Sequence, residues 1–384
     1  MHSLIPYGRQ SVSEEDIQAV VGVLRSDWLT QGPVVEQFEK AVADYCGSRF
    51  AVAVNSGTSA LHIACLAADL GPGDILWTSP VTFVASANCA LYCGAGVDFV
   101  DIDPRTCNMS VDCLREKLEQ AERHGKLPKV VIPVHFAGQS CEMEAIQSLS
   151  QRYGFRIIED ASHAIGGRYK GNPVGNCRYS DMTIFSFHPV KIITSGEGGM
   201  VLTNSSEFHR RLVRLRSHGI TRDPELMAGE SHGPWYYQQI ELGYNYRMTD
   251  IQAALGLSQT MRLDDFVIRR RRLAARYDSA LAGLPIRGIS LREECVCAYH
   301  LYVIILESHR RAAIFEALRS AGIGVNVHYL PVHMQPYFAR FGFTAGMFPR
   351  AEEYYRKALT LPLFTDMTDT QFRHVVGTVR GLLT

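Results

Sequence analysis

The sequence has no long apolar segment and no N-terminal targeting signal. Its longest apolar runs, such as Val130–Val134, have the length of a strand and fall far short of a membrane-spanning helix. The first ten residues, MHSLIPYGRQ, lack the basic stretch and the apolar core of a signal peptide. These absences predict a cytoplasmic protein with no membrane partner.

The sequence also has no excess of either charge. Its 39 Lys and Arg residues balance its 39 Asp and Glu residues, so the overall charge does not favour binding to nucleic acid. A phosphate-bearing ligand would therefore have to be bound by a local site. The one basic run, Arg269–Arg272, is predicted to be a solvated turn of a long helix rather than a contact for nucleic acid.

Paired cysteine motifs are missing as well. The ten cysteines include no C-x-x-C pair, and we expect them to be reduced and mostly buried. Cys295 and Cys297, with His300 three residues on, could in principle bind a metal, but no second pair of ligands follows at metal-binding spacing. The sequence therefore predicts cysteines packed on a strand and no metal site.

Short apolar runs alternate with helical patterns over the first two thirds of the chain. Because these runs are apolar on both faces, they predict an α/β domain with a mostly parallel sheet. After about Asp250 a long helical pattern, residues 251–281, begins a smaller α+β region. We expect a large domain of residues 1–250 and a small C-terminal domain of residues 251–384.

One lysine stands where chemistry is expected. Lys191 follows the apolar strand of residues 182–187 and precedes a glycine turn into another strand. Covalent chemistry on a carbonyl group needs a partly neutral amine, and burial among apolar residues lowers the pKa of a lysine. The alternative is that Lys191 is an ordinary exposed lysine at the end of a strand.

Two further segments end strands of the same predicted sheet. Asp160 places a carboxylate at the edge where α/β proteins bind ligands. Residues 55–60 open a helix, where Gly57 permits close backbone approach and the amides of Thr58 and Ser59 can bind a phosphate. A structural ion pair and a plain N-cap are the respective alternatives. Together the lysine, the carboxylate and the phosphate site fit pyridoxal phosphate, whose pyridine nitrogen a carboxylate keeps protonated.

Four segments also resemble a known family. Asn55–Leu61, Glu159–Ala164, Ser186–Lys191 and Gly243–Met248 are similar to signatures of the DegT/DnrJ/EryC1/StrS family of sugar-nucleotide aminotransferases. The likeness extends from about Tyr7 to the C-terminal helix. It implies the aspartate aminotransferase type of fold (fold type I), pyridoxal phosphate as cofactor, and a homodimer whose active sites share residues across the interface.

The resemblance also implies roles for single residues. Lys191 would carry the cofactor, and Asp160 would pair with its pyridine nitrogen. Many members of the family have glutamine where this chain has His163, which is expected near the 3-oxygen of the cofactor and would add pH dependence there. The remaining implied contacts are ring stacking by Phe83 and binding of the phosphate by Gly57, Thr58, Ser186 and Asn245, the last reaching the phosphate or the substrate of the neighbouring subunit.

Within the family the chain most resembles the transaminases of pseudaminic acid biosynthesis, through residues 27–33, 133–139, 187–191 and 325–329. These enzymes aminate C4 of a UDP-linked 4-keto-6-deoxy-N-acetylhexosamine of the L-arabino configuration, and L-glutamate becomes 2-oxoglutarate. The implied substrate contacts are Tyr7, Asp27, Trp28, Leu29, Thr30, Gly57, Ser186, Asn245, Asn326, Val327, His328 and Tyr329. Without the resemblance, Tyr7 would be interpreted as a loop aromatic and His328 as a satisfied core histidine.

Several alternatives stay open at this point. The chain could aminate another nucleotide-linked keto-sugar, at C3 or at C4 of the D-xylo epimer, or it could be a sensory protein that binds pyridoxal phosphate without turnover. Lys191 argues against a dehydratase of the same fold, in which histidine replaces the lysine. A nicotinamide dehydrogenase is disfavoured because no G-x-G-x-x-G motif follows a strand.

Overall fold

The computed structural model describes residues 4–307 and 310–384. Over these residues the chain forms thirteen α-helices and fifteen strands. The helices are α1 (Glu14–Leu24), α2 (Pro33–Cys46), α3 (Gly57–Ala67), α4 (Ala85–Tyr92), α5 (Val111–Arg123), α6 (Met143–Tyr153), α7 (Ser206–Leu215), α8 (Asp250–Thr260), α9 (Leu263–Ala280), α10 (Arg311–Ser320), α11 (Pro336–Ala339), α12 (Pro349–Lys357) and α13 (Asp369–Leu383). The strands are β1 (Phe50–Val54), β2 (Ile75–Thr78), β3 (Gly96–Phe99), β4 (Val130–Ile132), β5 (Arg156–Asp160), β6 (Arg168–Tyr169), β7 (Asn172–Pro173), β8 (Met182–Ser186), β9 (Gly199–Thr203), β10 (Ile220–Thr221), β11 (Gln238–Gln239), β12 (Ile286–Gly288), β13 (Cys295–Val296), β14 (Tyr302–Leu306) and β15 (Ala358–Leu361).

Seven strands form the central sheet, in the order β1-β9-β8-β5-β4-β2-β3. Strands β3, β2, β4, β5 and β8 are parallel, whereas β9 runs antiparallel to both of its neighbours. The expected α/β fold with a mostly parallel sheet is therefore confirmed. Because β9 reverses direction, β1 runs the same way as β8, and the carboxyl ends of β1, β5 and β8 lie at one edge of the sheet.

Both faces of the central sheet are covered by helices. Along β1, Val52 and Val54 belong to the core cluster on the side of α3, whereas Ala51 and Ala53 belong to the cluster on the side of α2. This alternation follows from the pleat of a strand, which directs successive side chains to opposite faces. A strand buried on both sides is mostly apolar, which explains why the apolar runs were good predictors of the strands.

A second sheet, with the order β12-β14-β15, lies in the C-terminal third and is antiparallel. It packs with α10 and α13 around a separate apolar cluster that includes Leu318 and Val375. A bridge between Asn326 and Thr360 attaches the segment of residues 325–329 to β15. We propose that the boundary between the large and the small domain lies at residue 250.

The helical pattern of residues 251–281 is not one helix, so that prediction was wrong. The helical conformation is interrupted at Met261 and Arg262, between α8 and α9. The buried carboxylate of Asp16 accepts hydrogen bonds from Ser258, Gln259 and Arg262 at this break. A fully buried carboxylate must be paired and hydrogen-bonded, and the turn between the helices brings these donors to it.

The basic run also differs from its prediction as a solvated turn. Arg270 is fully buried, although the three other arginines of the run are exposed. Its guanidinium donates to the carbonyl oxygen of Leu363 at 3.1 Å and to those of Tyr299 and His300 at 3.4 Å. Burial lowers the pKa of Arg270 to about 10. Sequence periodicity missed this residue because a buried arginine depends on carbonyl groups that lie far along the chain.

The cysteines are free thiols, and Cys295 and Cys297 are buried beside β13. Among residues 4–307 and 310–384, no group of three or more His, Cys, Asp or Glu side chains is arranged to hold a metal ion. Within the same ranges, none of the helices combines the length and the apolar character that a membrane span requires.

Candidate active site

A cavity of about 560 Å³ opens at the carboxyl edge of the central sheet. It is bounded by the ends of β5 and β8, by the start of α3 and by the segment of residues 326–329. Most of the site residues predicted from the sequence line it: Tyr7, Gly57, Thr58, Phe83, Asp160, His163, Ser186, Lys191, Asn326, Val327, His328 and Tyr329.

Lys191 lies in the connection between β8 and β9, where its backbone N–H donates to the carbonyl oxygen of His188 at 2.9 Å. Burial lowers the pKa of its amine to about 8, and the nearby negative charge of Asp160 opposes part of that shift. Desolvation disfavours the charged ammonium form, so far more of this amine is neutral near pH 7 than of an ordinary lysine. Lys191 is thus suited to nucleophilic attack on a carbonyl carbon.

Asp160 ends β5 and is 5% exposed. Its Oδ2 accepts a hydrogen bond from the hydroxyl of Ser86 at 2.6 Å, and its Oδ1 accepts one from the backbone N–H of Ser162 at 3.1 Å. These two donors hold the carboxylate in one orientation at the cavity wall. An acceptor fixed in this way can pair with a protonated ring nitrogen without reorganising when charge develops.

Glu159, the residue before Asp160, is hydrogen-bonded within the protein and does not line the cavity. It is buried among the side chains of His135, Ser180 and Thr183, which donate to its two oxygens. Burial raises its pKa, but these hydrogen bonds outweigh burial and leave the pKa below its usual range. Successive residues of a strand point to opposite faces, and only Asp160 of this pair lines the cavity.

The first turn of α3 forms an anion-binding corner. Ser56 caps the helix, and its hydroxyl accepts a hydrogen bond from the backbone N–H of Ser59 at 3.1 Å. A Cβ atom placed on Gly57 would lie 2.9 Å from the Cβ of Ser186, so only glycine allows this close approach. The hydroxyl of Ser186 therefore stands beside the amides at the start of α3, as a phosphate group requires. The start of α3 is thus both capped by Ser56 and suited to binding an anion.

The segment of residues 326–329 forms the opposite wall. The Nδ1 of His328 contacts the hydroxyl of Thr360 at 2.9 Å, and its Nε2 lies 3.4 Å from the side-chain nitrogen of Asn326. Burial, together with the charge of Lys191, lowers the pKa of His328 to about 3. The ring of Tyr7 packs against His328 at 5.1 Å. His328 is thus a neutral and hydrogen-bonded group at the cavity wall.

Two predicted elements do not line this cavity. Asn245 is exposed and is bridged to Ser217, while residues 27–30 lie beside Thr249 through a bridge at Thr30. Trp28 is 56% exposed. Asn245 and the segment of residues 27–30 therefore contribute nothing to the cavity of their own chain.

Sequence reasoning missed some residues of the cavity wall. Ser86, which holds Asp160, lies 74 residues before it in the chain, and no local pattern reveals such a pair. Ser162, His188, Val190 and Glu197 also line the cavity. Glu197 belongs to the glycine turn after Lys191, and that turn was the only signal that could have included it.

The arrangement fits pyridoxal phosphate. A buried amine with a lowered pKa, an oriented carboxylate and an anion-binding helix start surround a cavity large enough for one small ring compound. Phe83 is 59% exposed at this cavity and offers an apolar face to a ring. The three groups therefore match the aldehyde, the nitrogen and the phosphate of the cofactor.

Comparison with known proteins agrees with this chemistry. Residues 10–380 match the model of the DegT/DnrJ/EryC1/StrS aminotransferase family. The chain belongs to this family. It is 39% identical over 386 residues to SpsC, a spore coat polysaccharide biosynthesis protein of Bacillus subtilis, and the match covers 99% of this chain and 97% of SpsC.

Solved structures are similar over the same length. Spr1654 of Streptococcus pneumoniae, a candidate sugar aminotransferase, superimposes in its PMP form with a TM-score of 0.90, 31% identity and 98% of each chain covered. Its PLP form matches with a TM-score of 0.88. Helicobacter pylori PseC, an aminotransferase of pseudaminic acid biosynthesis, matches with a TM-score of 0.90, 29% identity and 99% of each chain covered. The protein is a sugar aminotransferase of this family, and its cofactor is pyridoxal phosphate.

Proposed function

We propose that this protein aminates C4 of a UDP-linked 4-keto-6-deoxy-N-acetylhexosamine of the L-arabino configuration, with L-glutamate as donor, in pseudaminic acid biosynthesis. The observation that carries the proposal is the buried amine of Lys191, whose pKa is lowered to about 8, in one cavity with Asp160 and the anion-binding start of α3. The bound cofactor supplies an electron sink, so that a proton can leave carbon and an amino group can be exchanged.

The residues of the chain divide the remaining work. Lys191, as a free neutral amine, removes the proton from the α-carbon of the donor and later returns a proton to the sugar carbon that receives the amine. Asp160 keeps the pyridine nitrogen protonated, and Ser86 holds Asp160 in place. The start of α3 and Ser186 retain the phosphate through both halves of the reaction.

We also propose an isologous homodimer with shared sites. Asn245 is exposed and does not line the cavity of its own chain. Its neighbours Tyr244 and Tyr246 stack on each other at 5.0 Å and pack against His62 of α3. In an extended segment, a residue between two packed side chains points to the opposite side. Asn245 and the exposed segment of residues 27–30 are therefore available to the site of a partner subunit.

The choice of sugar rests on residues 326–328 and on Tyr7, which line the cavity, and on the likeness to PseC. A second candidate is favoured by the higher identity to SpsC: an aminotransferase for another nucleotide-linked keto-sugar, with amination at C3 or at C4 of the D-xylo epimer. The cytoplasm, where nucleotide sugars are made, is the proposed location.

One experiment separates these candidates. The purified holoenzyme is incubated with L-glutamate and with each C4-keto epimer in turn, and NMR locates the new amine in the product. We expect amination at C4 of the L-arabino epimer, because a site that hydrogen-bonds particular sugar groups rejects analogues strongly. A preference for the D-xylo epimer, or amination at C3, would overturn the substrate but not the reaction. Failure with every keto-sugar, at a level equal to a Lys191→Ala control, would favour a sensory protein.

A further inference from the structure

A hydrogen bond joins two distant parts of the cavity wall. The hydroxyl of Tyr329 lies 3.2 Å from the Nε2 of His163, although the two residues are 166 positions apart in the chain. The two rings are nearly parallel, with centroids 6.3 Å apart. The ring of Phe136 packs edge-on against that of Tyr329 with centroids 6.3 Å apart, and the ring of Phe83 is tilted against it at 6.4 Å. The hydroxyl of Tyr329 is therefore held in one place.

This inference rests on the proposed function. The covalent structure of pyridoxal phosphate indicates which of its atoms would lie beside the hydroxyl of Tyr329. The phosphate arm, the aldehyde and the ring oxygen are attached to three consecutive ring carbons, C5, C4 and C3. If Gly57 and Ser186 hold the phosphate, Lys191 the aldehyde and Asp160 the nitrogen, the C3 oxygen would lie on the ring edge opposite the phosphate, between Lys191 and Asp160. His163 follows Asp160 by three residues and also lines the cavity.

The protonation states of Tyr329 and His163 decide which of them donates in this hydrogen bond. Burial raises the pKa of Tyr329, with smaller contributions from Tyr7 and Asp160, so its hydroxyl keeps its proton. Burial, together with the charge of Lys191, holds the pKa of His163 well below its usual range, so the ring is neutral with one N–H. The Nδ1 of His163 is buried without a partner in the part of the chain that the structure describes. Either tautomer of His163 can bond to the hydroxyl of Tyr329. A buried N–H without a partner is rarer than a buried acceptor without one, so the single proton is assigned to Nε2 and the orphaned Nδ1 carries the lone pair.

We propose that Tyr329 is a catalytic residue that binds the cofactor: its hydroxyl donates to the C3 oxygen of pyridoxal phosphate. His163 acts behind it as a positioning residue, because its Nε2–H donates to the oxygen of Tyr329 and leaves the tyrosine proton free for the cofactor. This differs from the roles implied by the family resemblance, in which Tyr329 contacts the sugar and His163 stands next to the 3-oxygen.

The test is a pH titration of the visible band of the holoenzyme. The C3 oxygen carries its full negative charge when the lysine-bound nitrogen beside it has no proton. A hydrogen-bond donor to that oxygen therefore favours the deprotonated form and lowers the pKa of the nitrogen. Tyr329→Phe removes the donor and should raise this pH by about one unit, since hydrogen bonds to charged groups are strong. The Michaelis constant for the sugar should stay close to the wild-type value.

Matched variants make the result decisive. Tyr7→Phe removes a different hydroxyl from the same cavity and should leave the titration of the band unchanged. His163→Leu should shift it in the same direction as Tyr329→Phe, whereas His163→Gln should restore it, because an amide N–H can replace the imidazole N–H. If Tyr329→Phe does not fold, the two His163 variants carry the test.

Three results would overturn the proposal. One is an unshifted band in Tyr329→Phe; weaker binding of the sugar by the same variant would then make Tyr329 a sugar ligand. Another is an equal shift in Tyr7→Phe. The third is a shift in His163→Gln as large as that in His163→Leu. The absence of any visible band in the wild type would overturn the proposed function as well, so the two failures are distinguishable.

Discussion

Gly57 lies so close to Ser186 that adding one methyl group, in Gly57→Ala, tests the phosphate site directly. In Gly57→Ala the new Cβ would lie 2.9 Å from the Cβ of Ser186 and 3.2 Å from its Oγ. Carbon atoms in good contact are about 3.5–4.0 Å apart, so the two elements must separate by roughly 0.6–1 Å. A serine hydroxyl could rotate away, but the Cβ of Ser186 is fixed to the end of β8 and cannot.

Forcing an additional carbon into a packed site costs roughly 1–3 kcal/mol. Part of that cost should appear as lost stability and part as lost cofactor affinity, because the displaced helix start carries the amides that bind the phosphate. We expect the dissociation constant for pyridoxal phosphate to rise roughly 3- to 10-fold, which corresponds to about half of that cost at about 1.4 kcal/mol for each factor of ten. Titration of the apoprotein, followed by the visible absorbance of the lysine-bound cofactor, measures it.

Two comparisons isolate the cause. Gly377→Ala lies in α13, where no atom stands within 4 Å of the new Cβ, and it should stabilise the protein by about 0.5–1 kcal/mol and leave cofactor affinity unchanged. The double variant Gly57→Ala, Ser186→Gly removes the Cβ contact and the hydroxyl, so stability should return while affinity stays low. Wild-type affinity in Gly57→Ala would refute the account of the phosphate site.

Three further predictions address the chemistry and the assembly. Asp160→Asn should retain the cofactor but lower turnover on the order of 10³-fold, because a preorganised charge is lost; near-normal rates would show that another group pairs with the nitrogen. The pKa of Lys191 falls from its ordinary value of 10.5 to about 8 on folding, so below pH 8 the apoprotein of Lys191→Met should unfold with a free energy higher by up to ~3 kcal/mol than that of the wild type. This advantage should shrink as the pH rises from about 8 to about 10.5, because the unfolded wild-type chain then loses the proton that the folded chain has already released; a constant difference would contradict the shift. Mixing inactive Lys191→Ala and Asn245→Ala proteins should restore activity through mixed dimers that contain one intact site, and failure despite demonstrated subunit exchange would argue against shared sites.

The residues that the sequence identified best are those that follow a buried strand directly. The apolar runs located β1, β5 and β8 to within two residues, because strands covered on both faces are mostly apolar. The side chains at their carboxyl ends then meet at one edge for topological reasons. Lys191, Asp160 and Gly57 line one cavity for this reason, and only the reversal of β9 had no signal in the sequence.

The residues that sequence reasoning missed depend on partners far along the chain. Ser86 looks like any small residue of α4 until its hydroxyl is seen on Asp160. The break between α8 and α9 contains neither glycine nor proline, and its reason is a buried carboxylate at Asp16. Arg270 looks identical to the exposed arginines beside it, and only the carbonyl groups of residues 299, 300 and 363 distinguish it. Local periodicity cannot contain such information.

His163 and His328 line the cavity, and the ring of His300 packs against that of His163 at 4.3 Å. His163, His300 and His328 all have pKa values lowered by burial first and by neighbouring positive charges second. The buried guanidinium of Arg270, which donates to the carbonyl oxygen of His300, adds to the shift of His300. These rings therefore stay neutral around Lys191 at physiological pH, and they offer hydrogen bonds without competing for its proton. A charged ring in the same place would repel the protonated pyridine nitrogen that Asp160 is positioned to stabilise, so a cavity rich in histidine can still serve cofactor chemistry that depends on one lysine.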